Sequence, residues 1–97
     1  MKYNLPEIVR QDICKYAEKN GIESVILFGS RARGTNTERS DIDIAVCGEN
    51  FDDFYWDINE NVNSLLIFDL IDINGRNSQE LMNEIERDGV FIYEKAR

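Results

Sequence analysis

The chain has 97 residues, 42% of them hydrophobic and 31% charged, which is the balance of a folded globular chain, and the length accommodates one domain over 1–97. Nineteen acids against 11 bases give a formal charge of −8, which argues against a basic phosphate-gripping face and so against direct nucleic-acid binding. With no histidine and only two cysteines, Cys14 and Cys47, a Ser-His-Asp triad, a histidine-containing or four-thiolate zinc site and a disulfide-rich scaffold are all excluded.

The N-terminal Met-Lys-Tyr-Asn leads into no apolar signal core, and no apolar stretch reaches membrane-spanning length, so a cytoplasmic chain without membrane contact is expected. Pro6 suits the first turn of a helix. Leu5, Ile8, Val9, Ile13, Tyr16 and Ala17 then recur at helical spacing until Asn20-Gly21 closes the pattern. Residues 24–28 (SVILF) form a short β-prone run stopped by Gly29, a buried strand. Residues 29–39, rich in glycine and arginine, form a loop or short helix. The run 41–46 (DIDIAV) alternates with period two and predicts a second strand.

Phe51, Phe54, Tyr55, Ile58 and Val62 mark an amphipathic helix with Trp56 on its opposite side. Leu65 to Ile73 predicts a third strand ending in an Asn74-Gly75 turn. Ser78 is placed to cap a helix carrying Leu81, Met82 and Ile85, with Glu80, Glu84 and Glu86 outward. Gly89 ends that helix, and residues 90–93 (VFIY) form a fourth strand. The expected architecture is α+β in two layers: a small mixed sheet of three to four strands, helices on one face and the other face bare.

The charge is unevenly distributed. Residues 40–75 contain no Lys or Arg and nine acids: Asp41, Asp43, Glu49, Asp52, Asp53, Asp57, Glu60, Asp69 and Asp72. Three features within or next to that stretch invite chemistry. The segment 29–34 (GSRARG) follows a strand directly. It is either an ordinary strand-to-helix turn or an anion site built from backbone N–H groups, the Ser30 hydroxyl and the fork of Arg31 or Arg33. Asp41 and Asp43 share one strand face, and two neighbouring carboxylates repel unless solvent or a hard cation such as Mg²⁺ or Mn²⁺ separates them. Asp69 interrupts an apolar run, where a buried unpaired carboxylate would be costly. On a strand beside the second it would complete a three-carboxylate cluster with Asp41 and Asp43. Asp72 has the opposite parity and lies near the turn.

Gly29-Ser30, ten intervening residues, Asp41-x-Asp43 and a later strand aspartate together resemble the nucleotidyltransferase superfamily of DNA polymerase β. The fuller strings GSRARG, SDIDIAV, FDLIDI and ERDGVFIYE are similar to its smallest branch, the minimal nucleotidyltransferases, often the antitoxin half of HEPN–MNT toxin–antitoxin pairs. This resemblance covers about Ile22 to Glu94 and implies residue roles. Gly29 and Ser30 would bind the triphosphate of ATP or another NTP, with Arg31, Arg33 and Ser40 as further nucleotide contacts. Asp41, Asp43 and Asp69 would be catalytic and would ligate two Mg²⁺ ions, or Mn²⁺. The implied reaction transfers AMP to a hydroxyl, a tyrosine's in the antitoxin members, of a HEPN-like or helical partner. Assembly with that partner or with a second copy is implied as well. Two other readings stay open: a catalytically idle antitoxin that neutralises its partner by covering it, and a transferase for a small molecule held by a separate substrate-binding chain.

Overall fold

The computed structural model describes residues 3–62 and 65–96. Among these, four helices alternate with four strands: α1 (Glu7–Lys19), β1 (Ser24–Phe28), α2 (Gly29–Arg33), β2 (Ile42–Cys47), α3 (Phe51–Asn61), β3 (Phe68–Asp72), α4 (Gln79–Asp88) and β4 (Val90–Glu94). The sheet order is β3-β2-β1-β4. β1 runs antiparallel to β2 and β4, whereas β2 and β3 are parallel, so the sheet is mixed, as expected. Parallel neighbours need a crossover, and α3 supplies it.

Strand parity divides the core in two. Val25, Leu27, Ile42, Ile44, Val46, Leu70 and Ile92 pack with Val9, Ile13 and Ala17 of α1 and with Phe54 and Ile58 of α3. Ile26, Phe28, Ala45 and Ile71 pack with Leu81, Met82 and Ile85 of α4. The opposite face is therefore not bare. Helices on one face describes α1 and α3 only, because the stripe of α4 needs an apolar partner and the second face provides it. The uninterrupted run of β1 reflects a strand covered on both sides.

Three local expectations change. Ile8 is 69% exposed and off the α1 stripe, whose buried positions are Val9, Ile13 and Ala17. Tyr55 is exposed beside Trp56, the two rings edge-on at 5.5 Å, so it leaves the expected stripe, of which Phe54, Ile58 and Val62 are buried and Phe51 packs against them. The third strand begins at Phe68, not Leu65, because β2 starts at Ile42 and offers no ladder partner further upstream. The Ser78 cap forms as predicted: the Leu81 N–H donates to Ser78 Oγ at 3.1 Å. At Gly89 a Cβ would overlap the Ile85 carbonyl and crowd Ile26 Cγ2, so only glycine lets α4 turn this tightly into β4.

Candidate active site

The ends of three adjacent strands meet at one point. Antiparallel pairing sets Phe28, the last residue of β1, opposite Asp43, and parallel pairing sets Asp69 of β3 on the other side of Asp43. Asp43 is the centre of this row. It is half-buried, and its carboxyl is pushed up to about 6, first by burial and then by the negative charges of Asp69, Asp41 and Glu84, with Arg33 opposing. Asp41 lies just ahead of β2 and is exposed. Asp69 is exposed too, contrary to the burial expected for it, because β3 is an edge strand and its carboxylate faces solvent.

Gly29 closes the row from the other side. Its φ is +74°, and a Cβ placed there would collide with the Asp43 carboxylate. Any side chain at 29 would be both strained and blocked. The short helix α2 therefore begins directly against the carboxylate. Its Ser30 is half-buried, and the Ser30 carbonyl accepts the Thr35 N–H at 3.0 Å, closing the turn.

The arginines behave differently from the nucleotide contacts the resemblance implied. Arg31 is 3% exposed, and its guanidinium donates to the carbonyls of Ser40 (3.0 Å), Asn4 (3.2 Å) and Glu38 (3.2 Å). Buried and committed to backbone, it is not available to a phosphate. Its role is to fasten the loop that leads to Asp41. Arg33 is exposed and paired with Asp88 (3.1 Å) and Glu84 (3.6 Å) on α4. Ser40 serves the same loop, its Oγ accepting the Thr37 N–H at 2.9 Å and its carbonyl the Arg31 bond. Asp72 ends β3 by accepting the Asn74 N–H at 3.0 Å, a turn-forming role.

Glu84 was missed. Its helical spacing placed it outward, yet the packing of α4 on the second face turns it toward Asp43 and Arg33. Nothing local in the sequence signals this, since it depends on where α4 docks.

Asp41, Asp43 and Asp69 are thus neighbours in charge and register. Among the described residues, however, no three acidic side chains converge at metal-coordinating range. The donor set still fits a hard divalent cation: all oxygen, excess negative charge, and a central carboxyl held above its normal range by burial and by its acidic neighbours.

Residues 11–97 match the family described as polymerase beta, nucleotidyltransferase. A relative from Methanocaldococcus jannaschii, named "Putative protein adenylyltransferase MJ0126", is 34% identical over 98 residues, covering 91% of this chain and 94% of its own. A crystal structure of a toxin–antitoxin with AMP-PNP superposes with a TM-score of 0.70 at 27% identity, over 89% of this chain and 73% of that one. A mutant of the toxin–antitoxin MntA-HpeT superposes at 0.67 and 28%, over 95% and 75%. The match over residues 11–97 makes the domain on this mixed sheet a nucleotidyltransferase. The chain belongs to the polymerase β nucleotidyltransferase family.

Proposed function

We propose that this protein is a one-domain antitoxin, acting in the cytoplasm, that transfers AMP from ATP to a hydroxyl, a tyrosine's, on a partner toxin of the HEPN type. The observation that carries the reading is the row Gly29–Asp43–Asp69, with the glycine pressed against the central carboxylate. The adenylyltransferase name of the archaeal relative and the toxin–antitoxin neighbours, one with AMP-PNP, support the reaction and the kind of partner.

In this reading the backbone at Gly29 and the Ser30 hydroxyl hold the triphosphate, and Asp41, Asp43 and Asp69 hold two Mg²⁺ ions, for which Mn²⁺ can substitute. When bound, the ions offset the charge on the transferring phosphoryl group and favour loss of the acceptor proton. The acceptor oxygen bonds to the α-phosphorus as the bond to the pyrophosphate oxygen breaks. The hydroxyl proton passes to Asp69 or to solvent. Arg33, shared between Glu84 and Asp88, offsets part of their charge beside the site.

The test is transfer of label from α-labelled ATP to a co-purified partner in Mg²⁺. Asp41→Asn or Asp43→Asn should lower the rate by about 10³-fold or more, since each removes charge that holds the cations. Equal labelling by wild type and variants would falsify the reading. The exposed Tyr55–Trp56 pair on α3 favours a second reading, neutralisation by covering the partner. An Asp41→Asn/Asp43→Asn double variant that protects cells as well as wild type does would select it.

A further inference from the structure

Arg31 is the one buried charged side chain among the described residues, and the transfer reading gives it no chemical task. Its guanidinium donates to carbonyls of two separate segments: Asn4, ahead of α1, and Glu38 and Ser40, in the loop ahead of β2. A further bond runs back, from the Asn4 N–H to the Arg31 carbonyl at 2.8 Å. Asn4 and Arg31 thus clasp each other twice. Tyr3 and Leu5, on either side of Asn4, pack against the main core, and Pro6 carries extended backbone into α1. The segment 3–6 is therefore an anchored strap, and Arg31 connects it to the loop 35–41.

That loop delivers Asp41, and the three carboxylates of the row are not held alike. Asp43 and Asp69 lie inside paired strands, opposite one another in the β2–β3 register. Asp41 lies one residue ahead of β2, outside the ladder. Its backbone is set by the two peptide planes that flank it. The following plane is pinned where the Ile42 N–H donates to the Ile67 carbonyl at 2.9 Å. The preceding plane is pinned at the Ser40 carbonyl, which accepts from Arg31 Nε at 3.0 Å. Because each peptide unit is rigid, these two bonds together fix the dihedrals of Asp41. The bonds between Thr37 and Ser40 tie the loop only to itself. Without the fork of Arg31, one of the two planes is released.

Resting on the metal-binding reading of the carboxylate row, we propose that Arg31 and the strap at Asn4 are positioning residues for Asp41. Residues ahead of α1 then belong to the frame of the active site, although they touch none of its reacting groups. A buried guanidinium whose hydrogen bonds all go to carbonyls is a costly fastening for a loop, because its charge has been taken out of water. An apolar side chain of that size would hold the loop down without this cost. It would not orient the Ser40 carbonyl, which takes a directional bond. The consequence is an asymmetric site: disturbing the strap should displace Asp41 and leave Asp43 and Asp69 in place.

The test is a Mg²⁺ titration of the ¹⁵N-labelled full chain without nucleotide, read at the amides of 41, 43 and 69, beside the Mg²⁺ dependence of transfer. Two variants break the clasp from its two ends. Arg31→Lys keeps the charge and loses the fork, and removal of residues 1–4 leaves Arg31 in place. In wild type, Mg²⁺ should move all three amides. In each variant the midpoint should rise about tenfold, with the amide of 41 no longer responding and those of 43 and 69 still moving. The Mg²⁺ concentration for half-maximal transfer should rise by the same factor. Combining the two changes should add little to either, since both break one clasp. Ile58→Val trims the core away from strap and loop, and controls for lost stability alone: its midpoint should stay at the wild-type value. Folded variants with a wild-type midpoint and a responsive amide at 41 would overturn the proposal, as would an equal rise in Ile58→Val. If Mg²⁺ moves none of the three amides in wild type, the metal-binding reading fails and takes the proposal with it. That result is distinct from a responsive wild type beside equally responsive variants, which sinks the proposal alone.

Discussion

At Asp43 one residue reports the tension of the whole site. Its folded-state carboxyl titrates near 6 against 3.8 for the free side chain, so its ionised form is disfavoured in the fold. The linkage sign follows: between about 4 and 6 the folded state binds the proton that the unfolded chain has lost, so stability falls as pH rises through that window. Above 6 the penalty is fully present. A wholly buried carboxyl shifted this far would cost about 3 kcal/mol. Solvent screening at its open side reduces that to about 1 kcal/mol, or about 4–8 °C in Tm for a chain of this size. In chelator at neutral pH, Asp43→Asn should therefore melt about that much higher than wild type and should lose the pH dependence between 4 and 6, while transfer collapses. Thermal melts across pH check it, and an unchanged slope in the variant would refute the electrostatic account. Gly29→Ala works in the opposite direction. It sets a methyl against that same carboxylate at a φ of +74°, and should cost about 1–3 kcal/mol together with nucleotide binding, measured by denaturant melts and nucleotide titration.

At the scale of elements, α2 and the loop after it are held by Arg31, which ties the N-terminal segment at Asn4 to the carbonyls of Glu38 and Ser40. Truncating it removes a side chain that is itself buried and takes the donor from the carbonyls of Asn4, Glu38 and Ser40, so Arg31→Ala should cost about 1–3 kcal/mol. Arg31→Lys should recover only part of this, because a single ammonium lacks the planar fork that spans three acceptors. Hydrogen exchange should rise first at residues 36–41, and faster exchange spread evenly over the chain would count against a local fastening. This arginine was illegible in the sequence: its neighbours Gly29 and Ser30 mark it as a ligand contact, and burial is decided by residues nine and 27 positions away. β1, β2 and the Ser78 cap were legible, because alternation, apolar runs and capping act over a few residues. The run 65–67 looked like strand because it is apolar, but a strand extends only as far as its partner does. The second covered face and the inward turn of Glu84 depend on where α4 docks, which periodicity along one helix does not specify. The pairing of Asp43 with Asp69 was anticipated conditionally, on β3 lying beside β2, and the parallel register meets that condition.

For the molecule as a whole, the acidic stretch 40–75 folds into β2, α3 and β3, one edge of the sheet and the helix that crosses over it. Elsewhere charges are locally matched: Arg10 with Glu7, Arg33 and Arg87 with Asp88, while Lys19 reaches from α1 to Asp57 on α3 at 3.1 Å. The repulsion at Asp43 comes from Asp69, Asp41 and Glu84, and two kinds of cation should relieve it differently. Monovalent salt screens every exposed pair beyond about 10 Å at 0.1 M, so raising NaCl should increase the Tm of the chelated protein gradually, in wild type and variants alike. Magnesium at a few millimolar adds little ionic strength and stabilises only by binding the folded state. At 100 times its dissociation constant that amounts to about 2.7 kcal/mol, about 10–20 °C here. The magnesium increment should be absent from Asp43→Asn and Asp69→Asn, whereas the NaCl increment survives. Differential scanning fluorimetry at matched ionic strength separates the two. If magnesium does no more than sodium, or if its increment persists in both variants, the acids are merely a solvated edge and the carboxylate row holds no metal.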